Sequence, residues 1–519
     1  MTTLAPRYKD LDGAPEGVLT SGMELSTLLA QIGSNQTELV LNQNVVVTAN
    51  TLIPATLNVR VVNGSTISIA DGIVLNFTGT LQAGLYQVFK YTGSATGQVN
   101  LGPSVPMVYP EWFVPSVSAS ANLSLQYAYN AAFYQGSQIY ISQSIWMSAT
   151  LNCHTAAKEI TIRGASTRVL LRYDGSGGVI SLQNGNNCLL ENFGIDTQVV
   201  PSDQLGIIVD GCYRVAINKV TMSTRGLLLT STQIFAPYSY GGVYWSNFTE
   251  VKAAWIWLAP GYAGASTNEN TFTNCQTVSF CPQTGSGLSL ESINGVTFGS
   301  LSNTFVGCDF SYANATYTVY AITLDQYATS NTFIGTYIEP DAVHNVGSLG
   351  AILNYGVNTS FVGGYISGAL AVYPANSENY AVYTMTGGTK LSEVNVYGVR
   401  LAPQNAVAGG NTVELASSHI TGESAFTSTL NNQSVGYNGY GATNGIYFVT
   451  NLTDGSNAIF TTLPGGGVSI LASNGSNWST TYNASGKEGL GYIAPNNGPY
   501  LFSQLSASKS YRIFCFGGY

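Results

Sequence analysis

The sequence predicts an all-β chain whose middle is a parallel β-helix, and three observations carry that prediction. The first is a recurring phrase. "NTFTNCQ" (270–276), "NTFVGCDF" (303–310), "NTFIGTYIEP" (331–340) and "SFVGGYIS" (360–367) keep an aromatic at Phe272, Phe305, Phe333 and Phe361, spaced by 33, 28 and 28 residues, while their polar residues change. The second is composition: 58 Gly and 33 Tyr against only 8% charged residues, with Thr, Ser and Asn filling the surface, which suits strands and turns rather than helices. The third is that each unit holds several short alternating runs split by Gly or Asn, with no room for a long helix. One such unit cannot bury a face alone, but about nine stacked units build a continuous core at about three strands per coil.

The phase extends upstream through "EITIRG" (Ile162), "LLENFGID" (Phe193), "RVAINKVTM" (Ile217) and "WSNFTEV" (Phe248), and downstream to "LSEVNVYG" near Val394. Within a unit, Phe333 points inward, Gly335 makes the turn and Ile338 points inward again, with Phe310 and Ile366 in the same slot on neighbouring coils. The pleat then turns the intervening residues outward. Gln276, Asp309, Tyr337 and Tyr365 form one outward column, and Val278, Ser311, Glu339 and Ser367 the next.

Before the coils, "SLQYAYNAAFYQG" (124–136) is an amphipathic helical stretch, suited to covering an exposed coil end. Residues 44–89 read as all-β, and after about 425 the phase is lost to runs such as "NGIYFVTNL" and "SYRIFCFGGY" that suggest an antiparallel domain of about 80 residues. The expected organisation is therefore a leader over 1–40, an N-terminal β region over 41–113, the β-helix with its capping helix over 114–424, and a C-terminal β domain over 425–519.

Charge and motifs exclude several function classes. With 17 basic and 26 acidic residues the net charge is -9, which argues against nucleic acid. Between Lys252 and Lys390 there is no Lys or Arg. The N-terminus has no apolar core of a secretory signal, and no run is long enough for a membrane span. Seven Cys without a CxxC read as reduced core residues, with Cys275 and Cys308 at equivalent repeat positions as stacked thiols. His154, His344 and His419 lack ligand spacing, and neither a GxSxG elbow nor a phosphate-binding loop is present. No metal and no cofactor is expected.

Residues 44–113 carry "LIPATLNVRV", "GSTISIADGIVLNF", "AGLYQVF" and "VYPEWFVPS" in that order. This pattern resembles bacteriophage and prophage tailspikes, where the Pro-Glu-Trp-Phe junction leads into a capping helix. The resemblance implies a right-handed parallel β-helix of the pectin-lyase type, and a C-terminal domain that helps hold a homotrimer or binds glycan. It further implies attachment to other tail or baseplate proteins through the N-terminus, synthesis in the host cytoplasm, a place in the virion, and action on a bacterial surface polysaccharide. One departure is that "VPSVSASANLSLQYAYNAA" lacks the acids that usually precede the capping helix, so Ser118, Ser120 or Ser124 is expected to cap it. The short leader implies attachment through 1–40 or through another protein.

Tailspike activities differ on one fold, so the candidate residues come from the sequence itself. A rung of ~4.8 Å and a two-residue offset put the Cα atoms of Asp309 and Glu339 roughly 8 Å apart, compatible with the carboxyl spacing of an inverting glycosidase. Tyr337 and Tyr365 continue the Asp309 column as sugar-stacking platforms. Glu291 in "LSLES" and Asp325 in "ITLDQ" match on adjacent coils. Stacked about 5 Å apart they would share a proton and suit a retaining pair, or hold a metal. Acids that merely keep the surface wet are the plain alternative for both pairs. Residues 240–266 bring Trp245, Trp255 and Trp257 into what reads as a loop walling the groove, or as packing at a trimer interface. The stretch without Lys or Arg favours hydrolysis of a largely neutral glycan over β-elimination, which needs a cation. The expected function is a tailspike that binds and hydrolyses capsule or O-antigen, with a non-catalytic adhesin spike and a polysaccharide lyase as the rivals.

Overall fold

The computed structural model describes residues 7–10, 17–18, 21–32, 37–114, 123–132, 135–154, 159–173, 175, 177–196, 204–232, 241–261, 265–281, 286–291, 299–310, 320–325, 328–338, 352–354, 359–366, 382–384, 394–397, 400–401, 418–420, 422–430, 433–436, 445–463, 467–475, 477–481, 485–492, 499–503 and 509–516. They pack into two units: Met1–Val200, Gln204–Ile208 and Cys212–Met222 in the first, and Pro201–Asp203, Val209–Gly211 and Ser223–Tyr519 in the second. No helix among the described residues is long and apolar enough to cross a membrane.

The first unit opens with a parallel solenoid of its own, where the sequence had indicated only β structure. Three parallel rows build it. One stacks Thr37–Leu41, Leu57–Val61 and Thr80–Gln82. The second stacks Met23–Glu24, Val45–Val47, Ile67–Ile69 and Phe89–Tyr91, and the third Thr51–Ile53, Val74–Phe77 and Gln98–Leu101. Alternation sends Val45, Val47, Ile67, Ile69, Leu75 and Phe77 into the core.

The junction motif has a structural task. Pro110–Trp112 forms a 3-10 turn, with Pro at its start where a missing N–H costs nothing. The Trp112 indole N–H donates to the Gly84 carbonyl at 3.0 Å, and the Trp112 carbonyl accepts from Val88 at 2.8 Å. The buried Glu111 carboxylate accepts from the Ser142 hydroxyl and, at 3.3 Å, from the Gln143 amide.

The capping helix runs over Ser124–Ala131, shorter than 124–136, because Gln135–Ile141 is already strand. Ser124 is its first residue and not its cap; Leu123 holds the cap position with no side-chain hydrogen bond, and Ser118 and Ser120 lie outside the described residues. The helix covers a sheet edge by direct mimicry of a strand. Gln126 accepts from the Asn152 N–H at 2.8 Å and donates to the Asn152 carbonyl at 3.2 Å, so one side-chain amide pairs both backbone groups of Asn152 in Leu151–His154, the first strand of its row.

In the coils that follow, Ile139, Ile162, Leu190 and Ile217 share one inward column. Phe193 does not belong to it, since its rung partner is Val220. Asn192, with φ of 61°, inserts a left-handed turn inside Leu189–Asp196 and moves the aromatic to a second inward column.

The second unit repeats one coil with high regularity. Phe248, Phe272, Phe305, Phe333 and Phe361 stand in register, fully buried, with ring centroids 4.5–4.7 Å apart and nearly parallel planes. The short strand around each Phe is bracketed by left-handed turns. Trp245, Glu269, Ser302 and Ser330 precede it with φ of 51–58°, and Glu250, Asn274, Gly307, Gly335 and Gly363 follow it with φ of 51–62°. That conformation strains most residues and suits Gly and Asn, which accounts for their recurrence after the aromatic.

Beside the aromatic row lies a buried amide ladder. Asn270 donates to Asn303 Oδ1 at 3.0 Å, and Asn303 donates to Asn331 Oδ1 at 3.1 Å. The same Oδ1 atoms accept the backbone N–H of the preceding Asn, and the amides also donate to the carbonyls of Val243, Thr267 and Ser300. Each coil bend is thereby satisfied without water.

A second row carries Lys252–Ala253, Gln276–Thr277, Asp309–Phe310, Tyr337–Ile338, Tyr365–Ile366 and Arg400–Leu401. A separate sheet stacks Gly226–Thr230, Ile256–Ala259, Ser286–Leu290, Tyr320–Leu324, Ile352–Asn354 and Val382–Thr384. Over 241–261 the chain is regular coil rather than a loop: Gly242–Tyr244, Asn247–Thr249, Lys252–Ala253 and Ile256–Ala259 each take their place in a row. Cys275 and Cys308 are buried free thiols. Burial and the neighbouring Cys308 push the Cys275 thiol well up, so both behave as core residues.

Beyond the coils, Gly422–Leu430, Lys509–Phe516, Gly445–Asn451, Asn457–Leu463 and Gly467–Asn474 form an antiparallel five-stranded sheet. Gln433–Gly436, Pro499–Ser503, Glu488–Tyr492 and Trp478–Ser479 form a four-stranded one.

The aromatic stack makes a direct stability test. Phe305→Ala or Phe333→Ala is expected to lower the free energy of unfolding by about 3–5 kcal/mol, as for an aromatic deleted from a packed core. Chemical denaturation measures it, and an unchanged midpoint for either variant would contradict an inward stack.

Candidate functional site

The outward column of the second row is continuous in register: Gln276 beside Asp309, Asp309 beside Tyr337, and Tyr337 beside Tyr365. Gln276 Nε2 donates to Asp309 Oδ2 at 3.1 Å and so orients the carboxylate. The Tyr337 and Tyr365 rings stack with centroids 5.2 Å apart and planes at 22°, and Tyr337 is 40% exposed. Two rings stacked along the column each spend one face on the other. On its other side Tyr337 has Asp309 as its rung neighbour, whose carboxylate is shorter than a phenol. The column therefore steps down at Asp309, leaving an aromatic wall over a carboxylate floor, an arrangement that seats a sugar ring against an acid. Glu339, the expected partner of Asp309, lies outside the described residues.

Glu291 and Asp325 sit on the other sheet, immediately after the paired residues Leu290 and Leu324. Their backbone N–H groups donate to Leu258 and Leu290 at 2.8 Å each, which places the two carboxyls on successive coils at one bend. Burial raises the Glu291 carboxyl above its ordinary value, and the Asp325 charge raises it further. Trp257, one rung before Ser289 on the same sheet, turns its indole toward Glu291 and opposes part of this rise. Its Nε1–H is buried and falls short of a formed hydrogen bond. The pair thus sets a carboxyl that holds its proton more tightly than usual beside a second carboxyl, with an indole N–H close by, which is the equipment of a proton donor and its partner.

The three described acids do not share a sheet. Asp309 belongs to the sheet of the aromatic row, whereas Glu291 and Asp325 end strands of the separate sheet. The tryptophans divide too. Trp255 is 1% exposed and packs on Gly226, where an added Cβ would fall 2.3 Å from its ring. It is a core residue and cannot stack on a glycan, because no face of it reaches solvent. Trp245 is 51% exposed in the turn after Gly242–Tyr244, and its indole donates to Glu269. Trp257 packs edge-on to Trp255 with centroids 6.3 Å apart and its nitrogen near Glu291. Among the described residues no group of three His, Cys, Asp or Glu is arranged to hold a metal ion.

Reading by sequence spacing missed one member of the tyrosine column. Lys252 pairs with Gln276 in register, two rungs before Asp309. The stretch lacking Lys and Arg, counted along the chain, had suggested a face without a cation. The fold brings one to the column because rungs, not sequence distance, decide proximity.

No family model matches the chain, and no curated protein matches it. Solved structures do match. The tailspike protein of Acinetobacter phage vB_ApiP_P1 is 11% identical, with 79% of this chain and 87% of that chain covered and a TM-score of 0.32. Tailspike protein 2 of the Escherichia coli O157:H7 bacteriophage CAB120 is 12% identical, with 72% and 63% covered and a TM-score of 0.41. A mutant tailspike protein of E. coli bacteriophage HK620, in complex with pentasaccharide, is 11% identical, with 92% and 86% covered and a TM-score of 0.29.

The raised Glu291 carboxyl has a consequence for stability. The folded protein holds this proton more tightly than the unfolded chain, so its contribution is complete below the ordinary value of 4.5 and is lost as pH rises through the higher folded value. Glu291→Gln is expected to raise the melting temperature at neutral pH, by an amount that shrinks as pH falls toward 4. Melting curves across that range check it, and a gain independent of pH would refute the perturbed carboxyl.

Proposed function

We propose that this protein is a phage tailspike that binds a bacterial surface polysaccharide, capsule or O-antigen, on the Asp309–Tyr337–Tyr365 column and hydrolyses it there. The stacked tyrosine pair stepping down onto an oriented carboxylate is the observation that carries this reading. A neutral sugar ring offers C–H faces that pack on aromatic rings, and a glycosidic oxygen above Asp309 lies within reach of acid–base chemistry. Glu339, two residues beyond Tyr337, is the proposed second carboxyl of an inverting pair. Residues 1–40 are proposed to attach the spike to tail or baseplate proteins, and 425–519 to hold the trimer or bind glycan.

A second reading places hydrolysis at Glu291 and Asp325. The raised Glu291 carboxyl beside Asp325 and the Trp257 indole favours it, since a general acid needs a proton to give near neutral pH.

Asp309→Asn and Glu339→Gln are each expected to lower turnover by ~10²-fold or more while affinity stays within a few fold, because the amides keep shape but not proton exchange. Tyr337→Ala is expected to weaken affinity instead. Reducing ends released from capsule or O-antigen measure hydrolysis, and absorbance of unsaturated uronate would reveal a lyase. Full turnover in both acid variants moves the chemistry to Glu291 and Asp325; binding without any cleavage makes the protein an adhesin spike.

The assembly proposed is a homotrimer. The chain has only 8% charged residues to solvate a long solenoid, and Ile446, Phe448 and Leu471 stand exposed on the antiparallel five-stranded sheet. Sedimentation at micromolar concentration should report three chains, and a monomer would rule the assembly out.

A further inference from the structure

The tyrosine column does not end at its aromatic and acidic residues. Register extends it to Lys252 on one side, through Gln276, and to Arg400 on the other, as the rung neighbour of Tyr365. From 253 to 389 the chain has no Lys or Arg, so the coils that carry Gln276, Asp309, Tyr337 and Tyr365 contribute none. Lys252 thus stands at one end of the column, four rungs from Tyr365, a span of about 19 Å along the solenoid. Lys252 is half-buried on its strand, and among the described residues no carboxylate forms an ion pair with it. Arg60 with Glu38 and Arg163 with Glu191 do form ion pairs, both in the first unit. Asp309, the acid of the same column, sits two rungs from Lys252, beyond ion-pair reach along the column, and takes its hydrogen bond from Gln276.

A protein of net charge -9 repels polyanions in general, so any attraction for one has to be local. A partly desolvated ammonium on a rigid strand is such a local device, since it gains most from an anion held at hydrogen-bond distance. We infer that the glycan taken by this column is acidic, lying along the solenoid with a carboxylate-bearing sugar at the Lys252 end and the following sugars over Asp309 and the tyrosine stack. The inference rests on the column being the glycan platform. It reverses the expectation of a neutral substrate that linear charge spacing had suggested. It also explains the order of side chains: the acid stands beside the tyrosines, where a hydroxyl or glycosidic oxygen is presented, and Lys252 stands at the end, where charge is to be received.

The test uses the full-length protein on an array of bacterial capsular polysaccharides and O-antigens, with every bound glycan tested again after its carboxyl groups have been reduced to alcohols. Bound glycans are expected to carry a uronate or another carboxylated sugar. Carboxyl reduction should cost roughly tenfold or more in affinity, the worth of a charge-assisted contact, and binding of the native glycan should weaken with salt. Lys252→Gln, with its melting temperature checked, should shrink the gap between native and reduced glycan. Binding of neutral glycans, or equal affinity after reduction, overturns the acidic ligand and leaves the platform intact. Binding that survives carboxyl reduction but is lost on removing phosphate overturns it in favour of a phosphorylated glycan. If the folded protein binds no glycan, or if Tyr337→Ala binds as well as wild type, the platform itself fails and the inference falls with it.

Discussion

The amide ladder through Asn270, Asn303 and Asn331 sets the conditions for everything else in the second unit. Each Asn lies at a bend where the backbone leaves one sheet for the next, and there its N–H and C=O groups would be stranded inside the coil. One amide per coil accepts from the rung before and donates to a carbonyl and to the rung after, so successive bends repeat in phase. A slip of one residue would pull an amide out of the ladder and leave several buried groups unpaired at once, each costing about 1–3 kcal/mol. The phenylalanine stack alongside is apolar and tolerant of sliding; the ladder supplies the register that the stack cannot.

From that register the surface follows. Because rungs repeat at a fixed pitch, an outward position on one coil predicts the position of its neighbour on the next, and a column becomes a line of side chains at equal intervals. The left-handed residues after each Phe turn the chain from the aromatic row into the column row at the same point in every coil. This is why Asp309, Tyr337 and Tyr365 align although 28 residues part each from the next. It is also why Glu291 and Asp325 meet at one bend although 34 residues part them.

Much of this was legible in the chain. The aromatic row and the tyrosine column could be read because a strand's alternation is written in consecutive residues, and the Gly or Asn of the left-handed turn marks where the phase resets. Other features left weaker marks. Phe193 looked in phase because an aromatic inside an apolar strand resembles its counterparts, while Asn192 added a turn that only its backbone angle reveals. Trp255 and Trp257 are two residues apart, yet the first, just before the strand Ile256–Ala259, fills the space opened by Gly226 and the second, within it, faces the Glu291 bend. Residue type does not separate those fates. The N-terminal solenoid was hidden because its coils share hydrophobic alternation but no repeated phrase. The asparagines were visible in "NTF", but nothing in a polar residue announces that it will be buried.

The role of Lys252 shows the same limit from the functional side. Charge along a sequence is a one-dimensional record, and a solenoid rewrites it by placing residues about one coil apart in contact. A surface of Thr, Ser and Asn carries little field of its own, so a single cation in a column governs the potential felt there more than it would on a densely charged protein. The side chains of the column stand on strands whose spacing is set by backbone hydrogen bonds rather than by loops. A polymeric ligand lying along such a column meets groups already fixed at regular intervals, and little conformational entropy has to be surrendered by the protein when it binds. The ladder that holds the coils in phase is, by this route, also what gives the binding face its order.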